Sequence, residues 1–266
     1  MHVITLLNEK GGVGKTTLAT HLAAGLAVSG LRVVLIDADP QGHATLAFGL
    51  KKEAGLLNLL INEWDFDEVL RVPDPANYQL QDRPLSGAFY IIPSDTGTRA
   101  IPGAMEDVTL LATRLQEIAN DIDVVVFDTP PTPSLLHSSI YLATDGIIYP
   151  TECESFSMDG LAMSINRRQN FDPLRLQINR HPIEIVGIVP NKYERNTVLH
   201  AEHLKVLLKA FGDQVWFPIA KRTSWREAAA ARKMIWTIGP QSKAASDAIK
   251  MVNRTVEKIK SWQTRS

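Results

Sequence analysis

The decapeptide NEKGGVGKTT, Asn8 to Thr17, closes the apolar run HVITLLN and leads into the Ala/Leu-rich stretch TLATHLAAGLA. Strand, glycine-rich turn and helix in direct succession aim backbone N–H groups and a helix N-terminus at one point, which makes that point an anion site. Gly11, Gly12 and Gly14, with Val13 between them, let the backbone approach phosphate oxygens closely. Lys15 is placed to reach the β- and γ-phosphates, the Thr16 hydroxyl to ligate Mg²⁺, and Thr17 to add a hydrogen bond at the α-phosphate. The ordinary phosphate-loop pattern G-x-x-x-x-G-K-[ST] is not met, because Glu9 stands where its first glycine belongs. The pattern present is K-G-G-x-G-K-[ST], with a second lysine, Lys10, five residues before Lys15.

Beyond the loop, the runs LRVVLIDAD, AFYIIPS, DVVVFDTPP, DGIIYPTE and IEIVGIVPN are near-continuous Val/Ile/Leu segments, the pattern of strands buried on both faces. Helical patterns separate them, at Thr16–Ser29 with Gly30 as a stop, Asp107–Asn120, His137–Ala143, Met158–Arg168 and Thr197–Phe211. The alternation predicts one α/β domain over residues 1–266, with a doubly wound, mostly parallel sheet and ligand at the carboxyl ends of its strands. Residues 51–87 break the rhythm as an irregular insertion with a short helix at Leu56–Asn62. The tail, 242–262, reads as an amphipathic helix with Ala245, Ile249, Val252, Val256 and Ile259 on its apolar face.

Three carboxylates fall at strand ends: Asp37 and Asp39 in VVLIDADPQG, and Asp128 in VVVFDTPP. A magnesium ion beside phosphates takes carboxylate and water oxygens, which assigns Asp37 and Asp128 to the metal set with Thr16. Hydrolysis needs an oriented water, and Asp39 is the residue expected to hold it.

Composition narrows the setting. Hydrophobic residues are 45% and charged residues 21%, as in soluble globular chains. No run of about 18 apolar residues predicts a membrane span, and the N-terminus lacks the basic region and cleavage site of a signal peptide. Cys153 stands alone, which rules out an internal disulfide and fits the cytoplasm. The net charge of −1 conceals unlike halves: residues 1–160 hold nine Lys+Arg against 21 Asp+Glu, net −12, and residues 161–266 hold 19 against eight, net +11. A basic half points either to an anionic partner or to halves that fold together and intermix their charges on the surface.

KGGVGKTT, DADPQGHAT and VVVFDTPP, in that order, resemble the deviant Walker A, Walker A′ and Walker B elements of the ParA/MinD family of P-loop ATPases. The Asp-Pro-Gln-Gly element is most similar to ParA-type (Soj-like) DNA-partition and cargo-positioning ATPases. PTECESFSMDGL resembles a later family segment, and WFPIAKRTSWREAAA the loop and helix that close over the nucleotide. The resemblance implies ATP and Mg²⁺ as ligands and slow hydrolysis stimulated by a ParB-like adaptor. It implies an ATP-dependent homodimer in which the first lysine of the loop, here Lys10, crosses the interface to the partner's phosphates and acts in catalysis beside Lys15 and Asp39. It further implies non-specific DNA binding, nucleoid association in the ATP state, and segregation or positioning of plasmid DNA, chromosome DNA or another cargo. The basic residues expected to serve DNA are Arg222, Arg226, Arg232 and Lys233, and Lys250, Arg254 and Lys258 at four-residue steps along the tail helix. Asn191 and Ile219 are the expected base contacts.

The chain departs from the family where Ile219-Ala220 replaces Ile-Pro and where Glu152 replaces a more common amide. A MinD-like ATPase whose terminal helix lies in lipid is the alternative. A nitrogenase-iron-protein relative is excluded, since a cluster bridging two subunits needs two cysteines from each and Cys153 is the only one.

Overall fold

The computed structural model describes residues 1–80 and 85–264, without the side chains of 155–157. Among these residues six parallel strands form one sheet in the order β3-β2-β4-β1-β5-β6. They are β1 His2–Leu6, β2 Arg32–Asp37, β3 Ala88–Ile92, β4 Val124–Asp128, β5 Gly146–Glu152 and β6 Glu184–Asn191, one for each apolar run. β4 is buried along its whole length because helices cover both faces of the sheet, which is why its residues do not alternate with polar ones. From β1 the chain steps outward to β2 and β3, returns to fill the gap with β4, then crosses β1 to β5 and β6. That reversal leaves a crevice at the carboxyl ends of the central strands.

One face of the sheet lies under the helices Lys15–Val28 and Lys243–Gln263, the other under Gly55–Leu60, Leu110–Gln116 and Leu135–Ala143. Ser155–Gln169 and Val198–Phe211 cover the β5–β6 edge. A Cβ at Gly25 would collide with Val252, so this glycine lets the C-terminal helix lie close against the helix of the phosphate loop.

Several boundaries and one face differ from expectation: the helices expected from His137 and Met158 start earlier, at Leu135 and Ser155, and the one expected at Leu56–Asn62 spans Gly55–Leu60. The helix expected at Asp107–Asn120 is confined to Leu110–Gln116, because the Asp107 carboxylate accepts from the Thr109 N–H and hydroxyl and builds a turn there. The loop helix starts at Lys15, one residue early, on a left-handed Gly14. On the C-terminal helix the buried stripe runs through Ala245, Ala248, Val252, Thr255, Ile259 and Trp262, while Ile249 is 36% exposed. Alternating steps of three and four follow the 3.6-residue turn, and a step of four from Ala245 drifts off the face.

Within 51–87, the helices Gly55–Leu60 and Phe66–Val69 and a 3₁₀ turn at Pro75–Asn77 are formed. Leu56, Leu59, Leu60, Phe66 and Val69 bury themselves in the core, and Arg71 bridges antiparallel to Ile91 of β3. Residues 81–84 lie outside the described residues. Among the described residues no helix is long and apolar enough to cross a membrane.

Candidate functional site

The entry of the glycine loop is pinned before the glycines begin. Asn8 Nδ2 donates to the Pro150 carbonyl at 2.8 Å, tying the end of β1 to β5. Glu9 is ion-paired with Arg167 at 2.6 Å, and its N–H donates to Ser164 Oγ at 3.1 Å. The residue that breaks the ordinary phosphate-loop pattern thus anchors the loop to the helix Ser155–Gln169. Gly12 (φ +79°) and Gly14 (φ +98°) are left-handed, and a Cβ at Gly14 would strike the Asn191 amide. Backbone N–H groups of this loop converge with the N-terminus of the helix Lys15–Val28, whose first turn holds Thr16 and Thr17. Lys15 is buried, its Nζ donating to the carbonyls of Asn8 at 3.0 Å and Lys10 at 3.2 Å. Burial lowers its pKa, and Asp128 and Asp39 partly restore it.

β2 and β4 pair in a register that sets Asp37 beside Asp128, both fully buried. Asp37 accepts from the Thr45 N–H at 2.8 Å, the Thr45 hydroxyl at 2.7 Å and the Asp39 N–H at 3.2 Å. Burial still raises its pKa to about 6. Among the described residues no group stands within 3.5 Å of either carboxylate oxygen of Asp128 in hydrogen-bond geometry, and the Thr16 hydroxyl approaches it only loosely. Burial, then the charge of Asp37, push its pKa well above the carboxylate range, with Thr16 and Lys15 only partly opposing them. An orphaned buried carboxylate beside a threonine hydroxyl at a phosphate loop fits a divalent cation, whose charge would relieve that burial. Thr16 and Asp128 are the residues that fit. Asp37, whose oxygens accept three hydrogen bonds, also steadies Thr45 and the turn of Asp39, and one lone pair of its Oδ1 stays open to a cation.

Asp39 is half-buried and accepts from the Gln41 N–H at 2.8 Å. It lines a crevice of about 730 Å³ with Gly11, Gly12, Lys15 and Thr16. Pro130 and Pro131 form another wall, held by His137, whose ring nitrogens meet Ser134 Oγ at 3.2 Å and the Pro130 carbonyl at 3.0 Å. Three residues at or behind the crevice were not singled out by the sequence: Thr45, Ser94 and Arg99. Thr45 had a signal, since it closes the quoted segment DADPQGHAT. Ser94 and Arg99 lie after β3 with no motif around them.

Gly14 and Thr17 also border a second cleft, of about 930 Å³, lined further by Asn191, Lys192, Tyr193, Ala220 and Thr223. Asn191 Nδ2 donates to the Val13 carbonyl at 2.8 Å and so joins β6 to the loop. Ile219 does not serve this cleft: its side chain is fully buried, its N–H donates to Pro190 and its carbonyl accepts from Tyr193. Ala220 lines the cleft in its place.

Lys10 does not line the phosphate crevice. Its ammonium lies 3.4 Å from Glu154 and 3.8 Å from Glu152, and Glu152 also holds Lys192 at 2.8 Å. The acid that replaces an amide in this chain therefore collects two cations.

The expected DNA residues are engaged unevenly. Arg222 is paired with Asp247 at 2.7 Å and Lys258 with Glu184. Lys250, Arg254 and Lys258 stand over the rings of Phe217, Trp216 and Trp262, and Arg254 also donates to the Asp213 carbonyl. The expected cationic stripe thus packs partly onto its own chain. Arg226, Arg232 and Lys250 are exposed, and Lys233 is half-buried.

A parallel doubly wound sheet, a glycine loop opening a helix, and paired strand-end aspartates define a P-loop nucleotide-phosphate-binding protein. A family model described as an AAA domain matches residues 1–180. The chromosome-partitioning ATPase Soj of Thermus thermophilus is 32% identical over 252 residues, covering 91% of this chain and 90% of that protein. The Cyanothece McdA(D38A)–ATP complex superposes with a TM-score of 0.76 at 18% identity, over 98% of this chain and 95% of that one. The septum site-determining protein MinD of Pyrococcus horikoshii, solved with Mg-ADP, gives 0.74 at 19% identity over 96% and 95%. The chain belongs to this AAA-domain family and, within it, to the ParA/MinD group of P-loop ATPases, similar to Soj.

Proposed function

We propose that this chain is an ATP- and Mg²⁺-dependent switch that dimerises around its nucleotides and, in that state, binds DNA without sequence preference to segregate or position a cargo. The carrying observation is the division between two lysines: Lys15 is buried at the loop, while Lys10 is held outside the crevice by Glu152 and Glu154. A lysine so close to the loop yet turned from its own phosphate crevice suits a partner's nucleotide better than its own.

In this reading the loop N–H groups and Lys15 hold the β- and γ-phosphates, and Asp39 orients the attacking water. Mg²⁺, when bound by Thr16 and Asp128, supplies charge neutralisation at the β- and γ-oxygens. Lys10 from the second protomer meets charge developing on the transferred phosphoryl, as an arginine finger does in other phosphate-loop enzymes. Turnover is slow until an adaptor of the ParB kind stimulates it, and the working place is the cytoplasm, on the nucleoid in the ATP state. DNA contact falls to Arg226, Arg232 and Lys250, the exposed members of the basic set. Lipid binding by the C-terminal helix is disfavoured, because Met251, Val252, Ile259 and Trp262 already pack in the core.

Lys10→Ala is expected to keep nucleotide affinity and to lose stimulated phosphate release; unimpaired release refutes the trans role. Arg226→Glu with Arg232→Glu is expected to weaken DNA binding about tenfold and to flatten its salt dependence. DNA affinity equal to wild type at 150 mM salt, roughly physiological, removes these residues from the DNA surface.

A further inference from the structure

Resting on the ATPase reading, we infer that Arg99 is a further catalytic residue, a guanidinium supplied in cis to the terminal phosphate from the turn after β3. Apart from Lys15, Arg99 is the one permanently cationic residue among the described lining of the phosphate crevice. It is exposed at the rim, and among the described residues it has no hydrogen bond or ion pair, while Lys10, Lys192 and Arg167 nearby are all claimed by glutamates.

Its position follows from the two clefts. Gly14 and Thr17 border both, so a nucleotide runs from the Asn191–Ala220 side across them into the crevice. No residue of 98–102 touches the nucleoside cleft, whereas Thr98, Arg99 and Pro102 share the crevice wall with Asp39. The phosphate nearest Arg99 is therefore the terminal one, on the side where Asp39 orients water.

The turn is tied to the strand ends that do this chemistry. Arg99 sits in the 3₁₀ turn Thr96–Ala100, whose Asp95 cap accepts from the Gly97 N–H at 2.8 Å. Thr98 is buried with its hydroxyl 3.1 Å from Ser94 Oγ. Ser94, also buried, donates its hydroxyl to the Asp39 carbonyl and its N–H to Thr45 Oγ1, the hydroxyl that caps Asp37. A chain of hydrogen bonds thus ties the turn that carries Arg99 to Asp37 and Asp39.

As water oxygen bonds to the γ-phosphorus and the bond to the bridging oxygen breaks, ADP carries the leaving oxygen and the water proton passes to phosphate and solvent. Arg99 exchanges no proton; its fixed charge opposes the negative charge spread over the equatorial oxygens.

The test compares wild type, Arg99→Ala and Arg99→Lys for single-turnover ATP hydrolysis and for affinities of ATPγS and ADP. Arg99→Ala is expected to slow turnover about 10- to 100-fold, to lower the preference for ATPγS over ADP, and to leave ADP affinity within about twofold, since ADP lacks the group Arg99 meets. Arg99→Lys is expected to fall between, because a point charge replaces the planar fork. Unchanged turnover together with an unchanged ATPγS-to-ADP ratio in Arg99→Ala overturns the assignment and leaves the ATPase reading intact. If wild type binds but does not measurably turn over ATP, the affinity ratio alone decides. Wild type that binds neither nucleotide overturns both.

Discussion

At the phosphate end of the cleft the polar groups are buried and held by backbone or by one another: Lys15 by two carbonyls, Asp37 by Thr45, Ser94 by Asp39. At the nucleoside end the lysines are exposed and pair with acids across the surface, Lys221 with the exposed Glu194 and Lys192 with the half-buried Glu152. Burial makes each group at the first end costly to alter and leaves Asp128 in want of a cation. Solvent screens the second end, where a charge can change with little structural effect.

The sharpest way to break this contrast is Asp128→Asn. Phosphate release is expected to fall by about 10²-fold. The nucleotide-free chain is expected to melt about 2–4 °C higher, because an amide removes the burial cost of an unpartnered carboxylate. A lower melting temperature with normal activity contradicts the contrast at its strongest point.

Asp37 gives a pH test of next largest effect. Its folded pKa of about 6 lies above the ordinary 3.8, so the folded state holds more protons than the unfolded one between those values. Its contribution to stability is fully present below about 4, is lost as the pH rises to about 6, and levels off above. Asp128, raised in the same direction, extends the decline upward. Denaturant titrations of the nucleotide-free chain should show this slope, and Asp37→Asn should reduce it. A wild-type-minus-mutant difference that grows with pH contradicts the assignment.

Glu152→Gln probes the border between the two ends. Freeing Lys10 and Lys192 from a shared acid is expected to raise dimer-dependent turnover, by at most about fivefold, the worth of a partly exposed ion pair. Turnover that falls shows that Glu152 positions Lys10 rather than restraining it. The smallest effect belongs to Lys221→Ala, whose partner Glu194 is exposed. Its melting temperature is expected within about 1 °C of wild type, and a larger drop shows that the nucleoside end carries structure after all.

The same contrast governs what the sequence disclosed. The glycines, Lys15, Thr16 and the strand-end aspartates were legible because each function lies within a few contiguous residues. Six apolar runs announced six strands for the same local reason. The Thr45–Ser94–Thr98 chain was not legible, since its members come from the short helix His43–Ala47 after β2 and the segment after β3, which meet only when β2 pairs with β3. Charge counting marked the basic half but not that Glu184 and Asp247 engage Lys258 and Arg222. Ile219 was misplaced because its side chain is buried in the core and its backbone polar groups are taken by Pro190 and Tyr193.

In the proposed reading Lys10 completes another protomer's site. Its most direct test is ATP turnover per protomer measured against protein concentration, for wild type and Lys10→Ala at saturating ATP and Mg²⁺. Wild-type turnover per protomer is expected to rise with concentration to a plateau while Lys10→Ala stays flat and low. Turnover per protomer that is independent of concentration in both, at equal rates, contradicts it.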